Sequence, residues 1–219
     1  MNKNTYKNSL LIPAVIVTYI LARKIVFSYL LFNNSFTRKI SFDLFIILIS
    51  LFVVRKEKSF LAYFKLNDSQ WARHMFMGFF VYALFIPLIH VSFWSSLYIQ
   101  SLFVTPLIKA PTHFSFFEKS LTDVLLNYFS LLIMTPIAQE IFFRGIIFQK
   151  MKIYMSVFPA LVFSALLFAL LHFDLKWFLG YFVMGLCFAW VFHKTKSLLS
   201  PIAAHALNNA TATLIHLYS

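Results

Sequence analysis

Negative charge is what this chain has least of. Seven Asp and Glu stand among 219 residues, and charged side chains of both signs make up 12%. A water-soluble domain carries about 25%, so the composition excludes an ordinary soluble domain. Cysteine is scarcer still. Cys187 is the single one, which excludes an intramolecular disulfide and any multi-cysteine zinc site. It reads instead as a small buried apolar residue. Internal repeats, low-complexity tracts and glycine-rich linkers are also missing.

What is present is apolar. Hydrophobic residues make up 61%, aromatics 20%, and mean hydropathy is +0.80. This describes an all-α, polytopic transmembrane helix bundle in one integrated domain. The net charge is +12. In a soluble protein that would point to nucleic acid. Here the basic residues fall in short connections between apolar runs, with no basic stripe interleaved with aromatics. The expected partner is therefore the lipid bilayer and not nucleic acid.

Apolar runs suited to spans lie near 9–32, 40–54, 75–98, 123–138, 157–172, 177–193 and 198–217. The segment 136–150 either extends the fourth helix or forms a separate half-helix, giving seven to eight spans. The first run continues past Arg23–Lys24 without a small-residue cleavage site, so it reads as a retained span and not a signal peptide. No C-terminal lipidation box is present. Residues Arg55–His74 and Ala110–Ser120 mix apolar and polar groups and read as interfacial segments. With the N-terminus in the cytoplasm, eleven Lys and Arg fall inside and five outside. The expected arrangement is a multi-pass cell-membrane protein with a cytoplasmic N-terminus. The wealth of Phe, Ile, Lys and Asn fits an AT-rich bacterial genome.

Ionisable groups at membrane depth are costly and mark function by default. Arg23, Lys24, Asp43, His90, Glu140, Arg144, His172, His205 and His216 are such groups. For His90, His193 and His216 the blander reading is a hydrogen bond to a backbone carbonyl. Asp43 is expected to pair with a base or lie near the interface, and Arg23–Lys24 to mark a helix end or snorkel. Three pairs have helical spacing: Glu140 with Arg144, Phe168 with His172, and His205 with Asn209. Three segments can thus aim polar groups at one point. A carboxylate and two imidazoles suit water activation, by general base chemistry or at zinc. His205 and Asn209 can donate to a developing oxyanion. Taken alone, Glu140–Arg144 reads equally well as a structural ion pair, and Phe168 as core. A proton-relaying transporter is a further class, opposed by the short length and the lack of repeat symmetry.

The stretches "QEIFFRG" (139–145), "FALLH" (168–172) and "HALNN" (205–209) resemble the three motifs of the CAAX protease and bacteriocin-processing family, also called the CPBP or Abi family. Its members are intramembrane endopeptidases, including the Ras-converting CAAX enzymes. Its motifs are Glu-Glu-x-x-x-Arg, Phe-x-x-x-His and His-x-x-x-Asn. The resemblance covers roughly residues 123–217. It implies a catalytic-type core over 123–219, whose three motif helices line a polar intramembrane cavity, behind N-terminal helices and interfacial segments over 1–122. It also implies roles. His172 would help the first-motif carboxylate activate water. His205 and Asn209 would hold the oxyanion. Arg144 would pair with Glu140. Metal-free glutamate chemistry and zinc chemistry both stay open, and zinc would fall to His172 and His205. The implied partner is a peptide or a membrane-associated protein substrate. Oligomeric state is not set.

One residue departs from the pattern. The first Glu of the motif is Gln139 here. Arg144 shares a helix face with Glu140, whereas residue 139 lies about 100° away. Gln139 has nearly the shape of Glu but cannot take a proton from water. Three readings follow. The chain is an engineered Glu-to-Gln variant that traps an inactive protease. Or it is a natural non-catalytic scaffold or regulator, for instance in sensor-kinase modulation or bacteriocin self-immunity. Or Glu140 acts as base despite Arg144.

Overall fold

The structure is a computed structural model, and it describes residues 13–22, 35–55, 69–103 and 120–218. Arg23–Lys24, most of the interfacial segment expected over 55–74, and nearly all of that over 110–120 lie outside the described residues, as does the side chain of His216.

Regular structure among the described residues is helical throughout. Helix α1 is Pro13–Ala22, α2 is Ser35–Val53 and α3 is Trp71–Phe103. Helix α4 is Leu121–Tyr154, α5 is Val157–Leu170, α6 is Phe178–Thr195 and α7 is Leu199–Tyr218. Each apolar run read from the sequence holds one of these helices. Among the described residues, three stretches are long and apolar enough to cross a membrane by length and composition: Trp71–Ile99, Leu121–Tyr154 and Leu175–Thr195.

Helix α4 carries the first motif, and its geometry follows from its sequence. The segment 136–150 extends the helix and is not a separate half-helix. The ladder widens twice into π-helix, over Ser130–Met134 and Ile141–Phe148. The first widening abuts Pro136, which has no N–H to return to the preceding turn. Just before it, the Thr135 N–H reaches back five residues to Ser130 O. In the second, all eight residues are buried. Such widenings recur at functional sites because they re-aim side chains relative to a regular helix.

The buried half of α4 forms the centre of the bundle. Phe142, Phe143, Ile146, Ile147 and Phe148 are buried there, and α4 touches α2, α5, α6 and α7. Helix α3 packs along α6 and α7. Small residues set the closest approaches. A Cβ on Gly185 of α6 would lie 2.9 Å from Ala165 Cα of α5, and one on Gly78 of α3 would run into Ser200 O at the start of α7. Ser200 also donates its hydroxyl to His74 O at 2.8 Å, which ties the first turns of α3 and α7 together.

One boundary differs from the sequence reading. The run 157–172 was expected as helix, but α5 stops at Leu170 and His172 lies in the turn that follows. Phe173 there has φ 54°, a left-handed conformation that is rare for an aromatic residue. The chain thus turns sharply just after the histidine.

Candidate active site

Glu140 and Arg144 are wholly buried, so neither charge can be left to water. Arg144 Nη1 donates to Glu140 Oε1 at 3.0 Å, across one helical turn. Nη2 donates to Gly185 O at 2.9 Å, which joins α4 to α6. Three rings surround the guanidinium, with its carbon 4.8 Å from the Phe168 centroid, 5.4 Å from Phe188 and 5.8 Å from Phe143. A buried cation needs this combination of counter-charge, carbonyl and ring faces.

The same carboxylate holds the third motif. His205 Nδ1 lies 2.8 Å from Glu140 Oε1. An ionised carboxylate only accepts, so Nδ1 carries the hydrogen in this bond. Phe188 stacks on the His205 ring at 5.0 Å and 18°. Glu140 is therefore shared between Arg144 and His205, a link that motif spacing alone does not disclose.

His172 is fixed differently. Its Nδ1 donates to Phe168 O at 2.6 Å, which makes Nε2 the lone-pair nitrogen of the neutral ring. The Phe168 ring lies 4.5 Å from the His172 ring and 5.9 Å from the His205 ring. Phe168 is thus buried against both imidazoles and the guanidinium, beyond the plain core residue that its abundance suggested. Tyr181 of α6 stacks on His172 at 4.1 Å and 22°.

His172, His205, Phe168 and Asn209 line one cavity of about 620 Å³, whose outer wall includes Trp94 and Trp177. Asn209 donates from Nδ2 to Leu131 O at 2.9 Å, inside the first π stretch of α4. Gln139, Glu140 and Arg144 do not line this cavity. Glu140 adjoins it through His205, and Arg144 through Phe168. Gln139 Oε1, Glu140 Oε2 and Arg144 Nε are buried without a hydrogen-bond partner among the described residues. Three such atoms within six residues make this stretch of α4 unusually polar for a buried helix.

Sequence reading missed Tyr181, Tyr82 and Asn208. Tyr82 OH donates to Asn208 Oδ1 at 3.3 Å, and both line the cavity. Asn208 stands beside Asn209 in "HALNN", which was the available signal. Tyr82 and Tyr181 carry no signal in a chain so rich in aromatics.

The other buried polar groups resolve individually. His90 Nδ1 bonds Ile86 O at 2.9 Å, as the blander reading held, although the residue also lines the cavity. His193 instead has Lys196 Nζ at 3.1 Å from Nδ1. Asp43 accepts from the Thr135 hydroxyl at 2.7 Å, which joins α2 to α4. Cys187 is buried.

Zinc would need more than the two imidazoles. Catalytic zinc sites take three protein ligands, and among the described residues no group of three or more His, Cys, Asp or Glu is placed to hold a metal ion. His205 and His172 alone therefore fall short of a three-ligand set among the described residues.

Residues 121–211 match the family described as "Type II CAAX prenyl endopeptidase Rce1-like". Over 85 residues the chain is 38% identical to a Bacillus subtilis (strain 168) protein named "Putative membrane peptidase YdiL". That stretch covers 39% of this chain and 35% of the relative, so the match spans about a third of the relative's length. No solved structure matches the chain. The matched segment contains all three motifs and bears out the resemblance to the CAAX protease and bacteriocin-processing family.

Proposed function

We propose, from the Rce1-like character of residues 121–211, that this chain has the architecture of an intramembrane endopeptidase and binds a peptide or membrane-associated protein in the cavity beside His172 and His205. The observation that carries the reading is the meeting of His172, His205 and Asn209 on one cavity, from the end of α5 and from α7.

The chemistry is attack of water on a peptide carbonyl. A base removes one proton as the water oxygen bonds to the carbonyl carbon. The carbonyl oxygen becomes an oxyanion, the C–N bond then breaks, and the proton passes to the leaving amine. On the cavity, Asn209 offers the oxyanion the second hydrogen of its Nδ2, and His205 offers Nε2–H in its imidazolium form, with Nδ1 held by Glu140. Glu140 orients His205 through Nδ1 and, with Arg144, offsets charge that would otherwise be isolated. Gln139 occupies the place of the family's first carboxylate. It can orient a water by hydrogen bonding but cannot accept its proton. His172 Nε2 is then the proton acceptor that remains on the cavity. The chain as it stands binds substrate and turns it over slowly, and a carboxylate at 139 restores the rate.

The test compares the full chain with Gln139→Glu in detergent, against a peptide library read by mass spectrometry. Cleavage should be about a hundredfold faster or more in the Glu form, and His172→Ala and His205→Ala in that background should each abolish it. An inert Glu form, with cellular function intact in both histidine variants, would sink the reading.

Gln139 also favours a second reading, a non-catalytic membrane scaffold or regulator that uses the same cavity to hold a partner. It requires a cellular phenotype that survives His172→Ala and His205→Ala at normal expression.

A further inference from the structure

A second cleft lies between the first turns of α3 and the last turns of α6, at the end of the bundle where α7 begins. Its volume is about 420 Å³. Arg73 and Lys194 line it, both exposed, above a floor of Met77, Val81, Trp190 and Val191. The Lys194 ammonium lies 5.7 Å from the Trp190 ring. Gln70 Oε1 takes one hydrogen of the Arg73 guanidinium, at 3.0 Å. The ends of α4 and α6 add to this charge. Phe148 meets the His193 ring at 6.3 Å, and Lys152, Lys194 and Lys196 are the charged neighbours of His193.

No carboxylate among the described residues faces this end. Asp123 is in the first turn of α4 and Asp174 precedes α6, so both belong to the other end. Asp43 is bonded to Thr135 and Glu140 to Arg144, both midway along α4. Among the described residues, the cleft therefore joins a basic rim that no carboxylate faces to an apolar floor.

We propose that this cleft binds an anionic phospholipid, with its phosphate between Arg73 and Lys194 and one acyl chain along Met77, Val81, Trp190 and Val191. A phosphate diester needs cationic donors at the rim. An acyl chain needs a continuous apolar surface starting beside them, and the aromatic face of Trp190 suits the boundary between the two. A soluble phosphate would use the rim and leave the floor unfilled. The site rests on the membrane reading of the chain and not on its proteolytic chemistry.

Native mass spectrometry of the detergent-purified full chain tests this, with phosphatidylglycerol, phosphatidylcholine and inorganic phosphate as probes. Phosphatidylglycerol should bind at least about tenfold more tightly than phosphatidylcholine. Arg73→Gln with Lys194→Gln should weaken it by about thirtyfold, from two lost surface charges. Arg73→Lys with Lys194→Arg should retain binding, and Lys176→Gln, at the other end, should leave it unchanged. Trp190→Ala should weaken phosphatidylglycerol and leave the headgroup preference in place. Circular dichroism of each variant separates lost binding from lost fold. Equal binding of the two lipids, undiminished binding by a folded double Gln variant, or displacement of the lipid by millimolar phosphate would each overturn the proposal. Because no cleavage is measured, failure here leaves the endopeptidase reading standing.

Discussion

His205 Nδ1 lies 2.8 Å from Glu140 Oε1, although the two residues are 65 positions apart in the chain. The same oxygen takes a hydrogen from Arg144 at 3.0 Å. One buried carboxylate therefore joins α4 to α7 directly and to α6 through Arg144 and Gly185 O.

Glu140→Ala should be severely destabilising, because it strands a buried guanidinium. The expected loss is about 3–5 kcal/mol, read as a fall in the unfolding midpoint in detergent. Adding Arg144→Met should recover most of it. If the single and double variants unfold alike, the pair does not hold the bundle together.

Gln139→Glu should raise peptide cleavage by about a hundredfold or more, the usual contribution of a positioned general base. The kinetic signature is a rise in kcat with KM nearly unchanged, since size and shape are conserved. A parallel change in both constants would place residue 139 in substrate binding instead.

In the Gln139→Glu background, Asn209→Ala should lower kcat by about a hundredfold if Asn209 serves the oxyanion. It also leaves Leu131 O without its donor, at a cost of about 1–3 kcal/mol in stability. A stability loss with kcat unchanged would assign Asn209 to joining α7 and α4 alone.

Tyr181→Leu removes the ring stacked on His172 and should lower kcat/KM several-fold, since such contacts are worth about 0.5–1.5 kcal/mol. Tyr181→Phe should retain the rate. Equal losses in both variants would point to the hydroxyl and not to stacking.

Gly185→Ala should cost about 1–3 kcal/mol, because the new Cβ would come within 2.9 Å of Ala165 Cα. The shift also displaces the carbonyl that holds Arg144. Thermal unfolding of the variant, alone and with Ala165→Gly, checks whether α5 and α6 meet there.

Much of this molecule is legible in its sequence because membrane composition is so restrictive. Long apolar runs leave helix as the economical backbone solution, and each run holds a helix. The Glu140–Arg144 pair follows from four-residue spacing on one helix. The turn at His172 was not legible. "FALLH" has helical spacing, but the helix ends two residues early and Phe173 adopts a left-handed backbone. The widened ladder of α4 was equally hidden, since only Pro136 hints at it. Asn208, Tyr82 and Tyr181 were missed because polar and aromatic residues gain meaning only from what packs against them.

By itself, the sequence determined the helical class, the membrane-like composition, the three motifs in order and the presence of Gln139 where a carboxylate was expected. Those are properties of composition and of spacing along single helices. Only the tertiary structure decided that Glu140 serves Arg144 and His205 together, that Phe168 packs against both imidazoles, and that His172, His205 and Asn209 meet on one cavity. Those relationships depend on which helices meet and how closely. Contacts such as that of Gly185 with Ala165 set this, across distances in the chain that local spacing cannot encode.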